Sequence, residues 1–134
     1  MRHIGVSNVM AAQMAQARRI AKIICVQNMY NLAQRNDDAL IDSTAAAGIA
    51  YVPFFPLGGF SPLQSDALSK TASQLGATPM QVALAWLQRR LPNILLIPGT
   101  SSVAHLAQNI ATVDLALPDD VLATLDGIGA AAKH

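Results

Sequence analysis

Along the chain, short runs of β-branched and aliphatic residues alternate with longer stretches rich in helix formers, the pattern of strands that each lead into a helix. His3-Ile4-Gly5-Val6 reads as a first strand and passes through Ser7 and Asn8 into Ala, Gln, Met and Arg residues that continue to Lys22. Ile23-Ile24-Cys25-Val26-Gln27 repeats the strand signal, after which Asn36 is expected to cap a helix that holds Asp37 and Asp38 in its first turn and stops at Gly48. Ile49 to Phe55 is a third, nearly continuous apolar run that ends at Pro56 and a Gly58-Gly59 loop. Ser65 is placed to cap the helix that follows as far as Gly76, and Pro79 fits the first position of another, carrying Val82, Leu84, Ala85 and Trp86 to about Arg90. Ile94-Leu95-Leu96-Ile97 predicts a fourth strand, with a helix from Ser102 to Ala111 and a last one from Pro118-Asp119-Asp120.

Four strand-helix alternations without a hairpin signal predict a parallel sheet covered by helices. A doubly wound sheet would carry a glycine fingerprint after its first strand, and here that position reads Gly5-Val6-Ser7-Asn8, so a barrel is the better expectation. Four units do not close an eight-stranded barrel, and 134 residues fall short of the roughly 250 of a complete one.

The composition suits buried strands and argues against disorder, since 52% of residues are apolar and 13% charged. A net charge of +1 gives no overall field for nucleic acid or an anionic membrane. The basic residues Arg2, Arg18, Arg19, Lys22 and Arg35 all precede the first acidic residue, Asp37, but no aromatic residue lies among them before Tyr30. That favours a solvated helix face over a nucleic-acid surface. Cys25, the single cysteine, lies in an apolar run and is expected to be a buried, inert thiol in a reducing compartment. Met1-Arg2-His3 and the Ala15-Gln16-Ala17 triplet imitate a signal peptide, but Ser7, Asn8, Gln13 and Gln16 interrupt its apolar region, so a cytoplasmic protein is expected. His3, His105 and His134 show no metal-ligand spacing, and no metal is expected.

Five stretches, in order and spanning nearly the whole chain, resemble the aldo-keto reductase family: Ile4-Gly5-Val6-Ser7-Asn8, Val26-Gln27-Asn28-Met29-Tyr30-Asn31, Pro56-Leu57-Gly58, Thr78-Pro79-Met80-Gln81-Val82-Ala83-Leu84-Ala85-Trp86 and Ile97-Pro98-Gly99-Thr100-Ser101-Ser102. The wording from Tyr51 to Leu63 most resembles a bacterial branch that includes pyridoxal reductases. The resemblance implies an α/β fold, the C-terminal half of a (β/α)8 TIM barrel, with residues 1–134 as one partial barrel domain of four parallel strand-helix units. It also implies an NADP(H)-dependent reductase of aldehydes and ketones.

By the same resemblance Ser7, Asn8 and Gln27 match residues that hold the nicotinamide carboxamide, whose acceptor and two donors suit a hydroxyl and two side-chain amides. Phe54 matches an aromatic ring stacked on the nicotinamide, and Leu57 and Gly58 match residues near the pyrophosphate. Thr100, Ser101 and Ser102 precede a helix N-terminus suited to the adenosine phosphate, and Asn109 matches an adenine contact. Gly99 and His105 stand where many NADP-preferring relatives carry lysine and arginine, which leaves NAD(H) open as cofactor. Polar residues at strand ends also serve simply as helix caps, and Phe54 also reads as an ordinary core residue. Met29 occupies a position usually held by glutamate, in a chain with no glutamate at all.

The family's catalytic tyrosine and its tuning lysine, aspartate and histidine lie on the first four strands, and Tyr30 and Tyr51 match other positions. The expectation is therefore a truncated reductase, inactive alone, with small carbonyl substrates handled only beside a complementary half. The alternative is a non-catalytic half-barrel used for assembly or regulation. Unpaired edges at the Ile4 and Ile94 strands predict self-association.

Overall fold

The apolar run that begins at Ile23 forms the middle of the sheet, hydrogen-bonded to a strand on each side. In a computed structural model, which describes residues 1–58 and 65–131, β2 (Ile23–Met29) lies between β1 (Ile4–Ser7) and β3 (Ala50–Phe54), and both pairings are parallel. Gly59, the stretch from there to Leu63, and His134 lie outside the described residues. The helices follow in the expected order: α1 (Ala11–Ile20), α2 (Asp38–Ala46), α3 (Asp66–Gln74), α4 (Pro79–Arg90), α5 (Val103–Ala111) and α6 (Asp119–Ala131). A turn of 3₁₀ helix, Thr112–Asp114, joins the last two.

The chain starts its helices as its polar residues dictate, with one correction. Ser65 Oγ accepts from the Leu68 N–H at 3.4 Å and Ser102 Oγ from the His105 N–H at 3.3 Å. Thr78 and Gln81 form a reciprocal capping box, with Pro79 following at the position where a missing N–H costs nothing. Asn36 is not the cap of α2. The helix begins one residue later, with Asp37 at its N-cap position, and the Asp37 carboxylate makes no cap bond because it is engaged by side chains from β2 and β3.

The expected fourth strand is reduced to one bridge, Tyr51 with Ile94. The Tyr51 N–H donates to the Asn93 carbonyl and the Leu95 N–H to the Tyr51 carbonyl, both at 2.9 Å. The next bond of a parallel ladder would come from residue 53, and Pro53 has no N–H to give. The architecture is thus a three-stranded parallel sheet with helices, with Ile94 touching its edge.

Strand parity sorts the side chains into two layers. Val26 and Tyr51, partners in register, have no exposed surface and pack toward the helices with Tyr30 and Trp86. Tyr30 stacks on Trp86 at 6.0 Å between ring centres and meets Tyr51 edge-on at 6.0 Å. In α4 every residue from Val82 to Leu87 is apolar and buried, so the middle of this helix is covered on all sides. Gly129 of α6 is close to the Leu32 carbonyl and Arg35, leaving no room for a Cβ, and this brings Leu125 into the core and Asp126 within 3.0 Å of Trp86 Nε1.

The opposite parity gives the second layer. Gly5, Cys25 and Ala50 form one row across the sheet, Ser7, Gln27 and Val52 the next, and Met29 and Phe54 the last. Cys25, expected to be buried, is only half-buried because it lies on this layer, and Met29 is 42% exposed.

Removing the Thr78 hydroxyl breaks half of the box that starts the most buried helix. Thr78→Ala is expected to cost about 1 kcal/mol. Urea unfolding should show a lower midpoint and an unchanged slope.

Candidate functional site

Three parallel strands deliver their ends to one side of the sheet, so residues far apart in sequence arrive in neighbouring rows. Ser7 and Gln27 are direct partners in register, and Asn8 follows at once. Asn8 has φ 53°, a left-handed conformation that asparagine tolerates better than most residues. Its N–H donates to the Gln27 carbonyl at 3.1 Å, and the Ser7 hydroxyl donates to the same carbonyl at 2.8 Å. Ser7 therefore has its proton committed and offers lone pairs to any ligand. The side-chain amides of Asn8 and Gln27 have no hydrogen-bond partner among the described residues.

Phe54 closes the last row, with its ring edge-on to Phe55 at 5.3 Å. Phe54, Leu57, Ile97 and Gly99 line a cleft of about 400 Å³. A second cleft of about 320 Å³ shares Leu57 and Gly99 with it and runs along α5 past Thr100, His105 and Asn109. Six of the twelve candidates thus line two adjoining clefts. Ser7, Asn8 and Gln27 stand at the neighbouring strand ends. Gly58, with φ 92° and its N–H on the Phe55 carbonyl, shapes the turn but lines neither cleft, as does exposed Ser101. Ser102 lines neither cleft as well and is engaged as the cap of α5, while Thr100 Oγ1 accepts from its N–H at 3.1 Å.

Thr78, Met80 and Gln108 line the second cleft, and Pro98 the first, without having been singled out in sequence as site residues. Met80 is 46% exposed, and its place in the first turn of α4, directly after Thr78 and Pro79, was the one signal in the sequence. His105 is the basic side chain on the second cleft, so an anion there would meet hydroxyls, one imidazole and a helix N-terminus.

Residues 1–130 match the Aldo/keto reductase family along almost the whole chain. The chain belongs to the aldo/keto reductase family. It is 68% identical over 127 residues to pyridoxine 4-dehydrogenase of Escherichia coli K12, a match that covers 95% of this chain and 44% of that protein. An uncharacterised oxidoreductase of Schizosaccharomyces pombe is 33% identical over 129 residues, 96% of this chain and 42% of that one. Among solved structures, an aldo/keto reductase from Klebsiella pneumoniae in complex with NADP and acetate superposes with a TM-score of 0.86 at 29% identity, covering 95% of this chain and 48% of that one. An aldose reductase from Giardia lamblia gives 0.88 at 26% identity, with 97% and 45% covered. The chain spans less than half the length of the curated relatives it matches across nearly all of its own. No helix of the described residues is long and apolar enough to cross a membrane.

Neither tyrosine of this chain reaches the groove. Both are fully buried, with the Tyr30 hydroxyl on Asp38 and the Tyr51 hydroxyl on Asp37 at 2.8 Å. Burial, reinforced by the carboxylate each one faces, pushes Tyr30 up to about 12 and Tyr51 higher still. A phenol whose folded-state pKa is raised above the unfolded value near 10 stabilises the fold below about pH 10 and loses that contribution as pH rises toward its folded value. In an alkaline titration followed at 295 nm, tyrosinate is expected to appear only above about pH 11, together with unfolding; ionisation of either residue near pH 10 in folded protein would contradict this environment.

Proposed function

We propose that this chain forms the cofactor side of an aldehyde or ketone reductase, binding NADP(H), with NAD(H) also accepted. One observation carries the reading: two adjoining clefts that run from Phe54 past Gly99 to Asn109, with the unpartnered amides of Asn8 and Gln27 at the strand ends on the same side of the sheet. A bound nicotinamide dinucleotide supplies hydride transfer to a carbonyl. Gln27 and Asn8 would donate to the carboxamide oxygen and Ser7 would accept from its N–H, fixing which ring face is presented. Phe54 would stack on the ring, and Leu57 and Gly58 would border the pyrophosphate. Thr100, with the first N–H groups of α5 behind Ser101 and Ser102, would take the adenosine phosphate, and Asn109 the adenine. The NADP bound to the Klebsiella pneumoniae relative supports this choice. The absence of lysine and arginine from the described lining of the second cleft supports acceptance of NAD(H) as well.

The chain alone is proposed not to turn over carbonyl substrates. A positioned general acid contributes about 10²- to 10⁴-fold, and both tyrosine hydroxyls here are buried on carboxylates. The similarity to pyridoxine 4-dehydrogenase makes pyridoxal the first substrate to try.

In fluorescence titrations NADPH and NADH should both bind, and Asn8→Ala should weaken each roughly tenfold, the worth of about 1.4 kcal/mol. Equal binding by wild type and variant removes Asn8 from the site. NADPH oxidation with pyridoxal should be undetectable for the chain alone and should appear when the N-terminal half of a close relative is added; turnover by the pure chain would overturn its proposed dependence on a second half.

The same reading includes association. Val103, Leu106, Ile110 and Val113 make an apolar stripe on α5 and the turn after it, each at least 50% exposed. With the open edge of β1, the stripe favours burial against a complementary barrel half and, without one, against another copy. Light scattering of the pure chain should report a dimer or larger species, and a compact monomer that unfolds cooperatively would count against it.

A further inference from the structure

We infer that Asn28 is a positioning residue for nicotinamide binding, holding the turn after β1 so that Asn8 keeps the left-handed conformation that presents its amide. The inference rests on the cofactor reading above. Asn28 is 6% exposed and shares the parity of Val26, so it points away from the layer that carries Ser7 and Gln27. A buried amide there must find partners, and it finds both backbone groups of one residue. The Val9 N–H donates to Asn28 Oδ1 at 3.1 Å, and Asn28 Nδ2 donates to the Val9 carbonyl at 2.8 Å. The side chain acts as a short piece of neighbouring strand clamped on the residue after Asn8.

The amide cannot reverse itself to serve another arrangement. The second Nδ2 hydrogen goes to Asp37 Oδ2 at 2.6 Å, and a carboxylate only accepts, so this contact fixes which end of the amide is nitrogen. The Tyr51 hydroxyl donates to the same oxygen at 2.8 Å and anchors the carboxylate from β3. On the other flank, the Asn8 N–H and the Ser7 hydroxyl are both held by the Gln27 carbonyl. A non-glycine residue with φ 53° is thereby pinned from both sides, while its own side chain has no partner among the described residues. Fixing such a group before the ligand arrives raises affinity by removing an ordering cost at the moment of binding.

Because Asn28 acts only through Asn8, its effect must be confined to ligands that carry the carboxamide. The test compares NADPH with 2′-phospho-ADP-ribose, the same molecule without nicotinamide, on wild type, Asn28→Ala and the isosteric Tyr51→Phe. Asn28→Ala is expected to weaken NADPH roughly tenfold and Tyr51→Phe roughly threefold, with 2′-phospho-ADP-ribose unchanged within about twofold in both. Unchanged NADPH binding in the variants, or an equal loss for both ligands, overturns the positioning role and leaves the cofactor reading intact. Wild type that binds neither ligand overturns the cofactor reading, and this inference with it. Should Asn28→Ala fail to fold, Tyr51→Phe carries the same comparison alone.

Discussion

The carboxylate of Asp37 is the point on which the ordering of this molecule depends. One of its oxygens receives Asn28 Nδ2 from β2 and the Tyr51 hydroxyl from β3, and its backbone opens α2. Through Asn28 it also reaches Val9, the residue after the turn that ends β1. Hydrogen bonds to a charged group contribute more than neutral ones, about 1.5–3 kcal/mol each, and a half-buried carboxylate left with neither donor would retain its desolvation cost. One group thus ties the turn after β1, the C-terminal end of β2 and, through the Tyr51 side chain, β3. At the other end, Ile23 and Ile49 pack in the core, and the Asn93 amide donates to the Ile49 carbonyl at 3.0 Å.

This arrangement separates two jobs that both need polar residues. Asp37, Asn28, Tyr51, Tyr30 and Asp38 face the helices and are spent on one another, as the raised tyrosine pKa values record. Ser7, Asn8, Gln27 and Phe54 belong to the other parity or to the turn beyond it, where the amides remain without protein partners. A polar layer spent on internal bonds therefore lies one residue out of step with one whose amides remain open. The dipeptide Gln27-Asn28 states the division most compactly, since its first amide is left open and its second is satisfied three times over.

Much of the fold was legible in the sequence because strand and helix signals are local. Pro79 with Thr78, Ser65 before Asp66, and Ser102 before Val103 mark helix starts through bonds that reach only three residues ahead. Where the reading differed, a distant partner had intervened. Asn36 looked like the cap of α2, but the role of Asp37 is set by Tyr51 and Asn28, and a sequence window around residue 37 contains no trace of Tyr51. Ile94 to Ile97 has the composition of a full strand, yet pairing depends on the neighbour's donors, and Pro53 withholds one of them. The proline was visible, but its consequence became so only once the register set residue 53 beside Leu95.

The clefts show the same limit. Candidates carried by motifs lie at the strand ends and along α5, because a motif encodes spacing along one element. The residues that complete the lining, Met80 and Gln108 among them, come from α4 and α5 meeting face to face, which no single motif records. Asn28 stood in view inside the stretch from Val26 to Asn31 but carried no signal of its own, for its partners are a backbone residue nineteen positions earlier and a carboxylate nine later. What sequence supplied was the parity: a polar residue placed in phase with Val26 has to be buried, and a buried amide has to be satisfied. That pair of constraints is enough to suspect a tether, though only the three-dimensional arrangement names Val9 as what it holds.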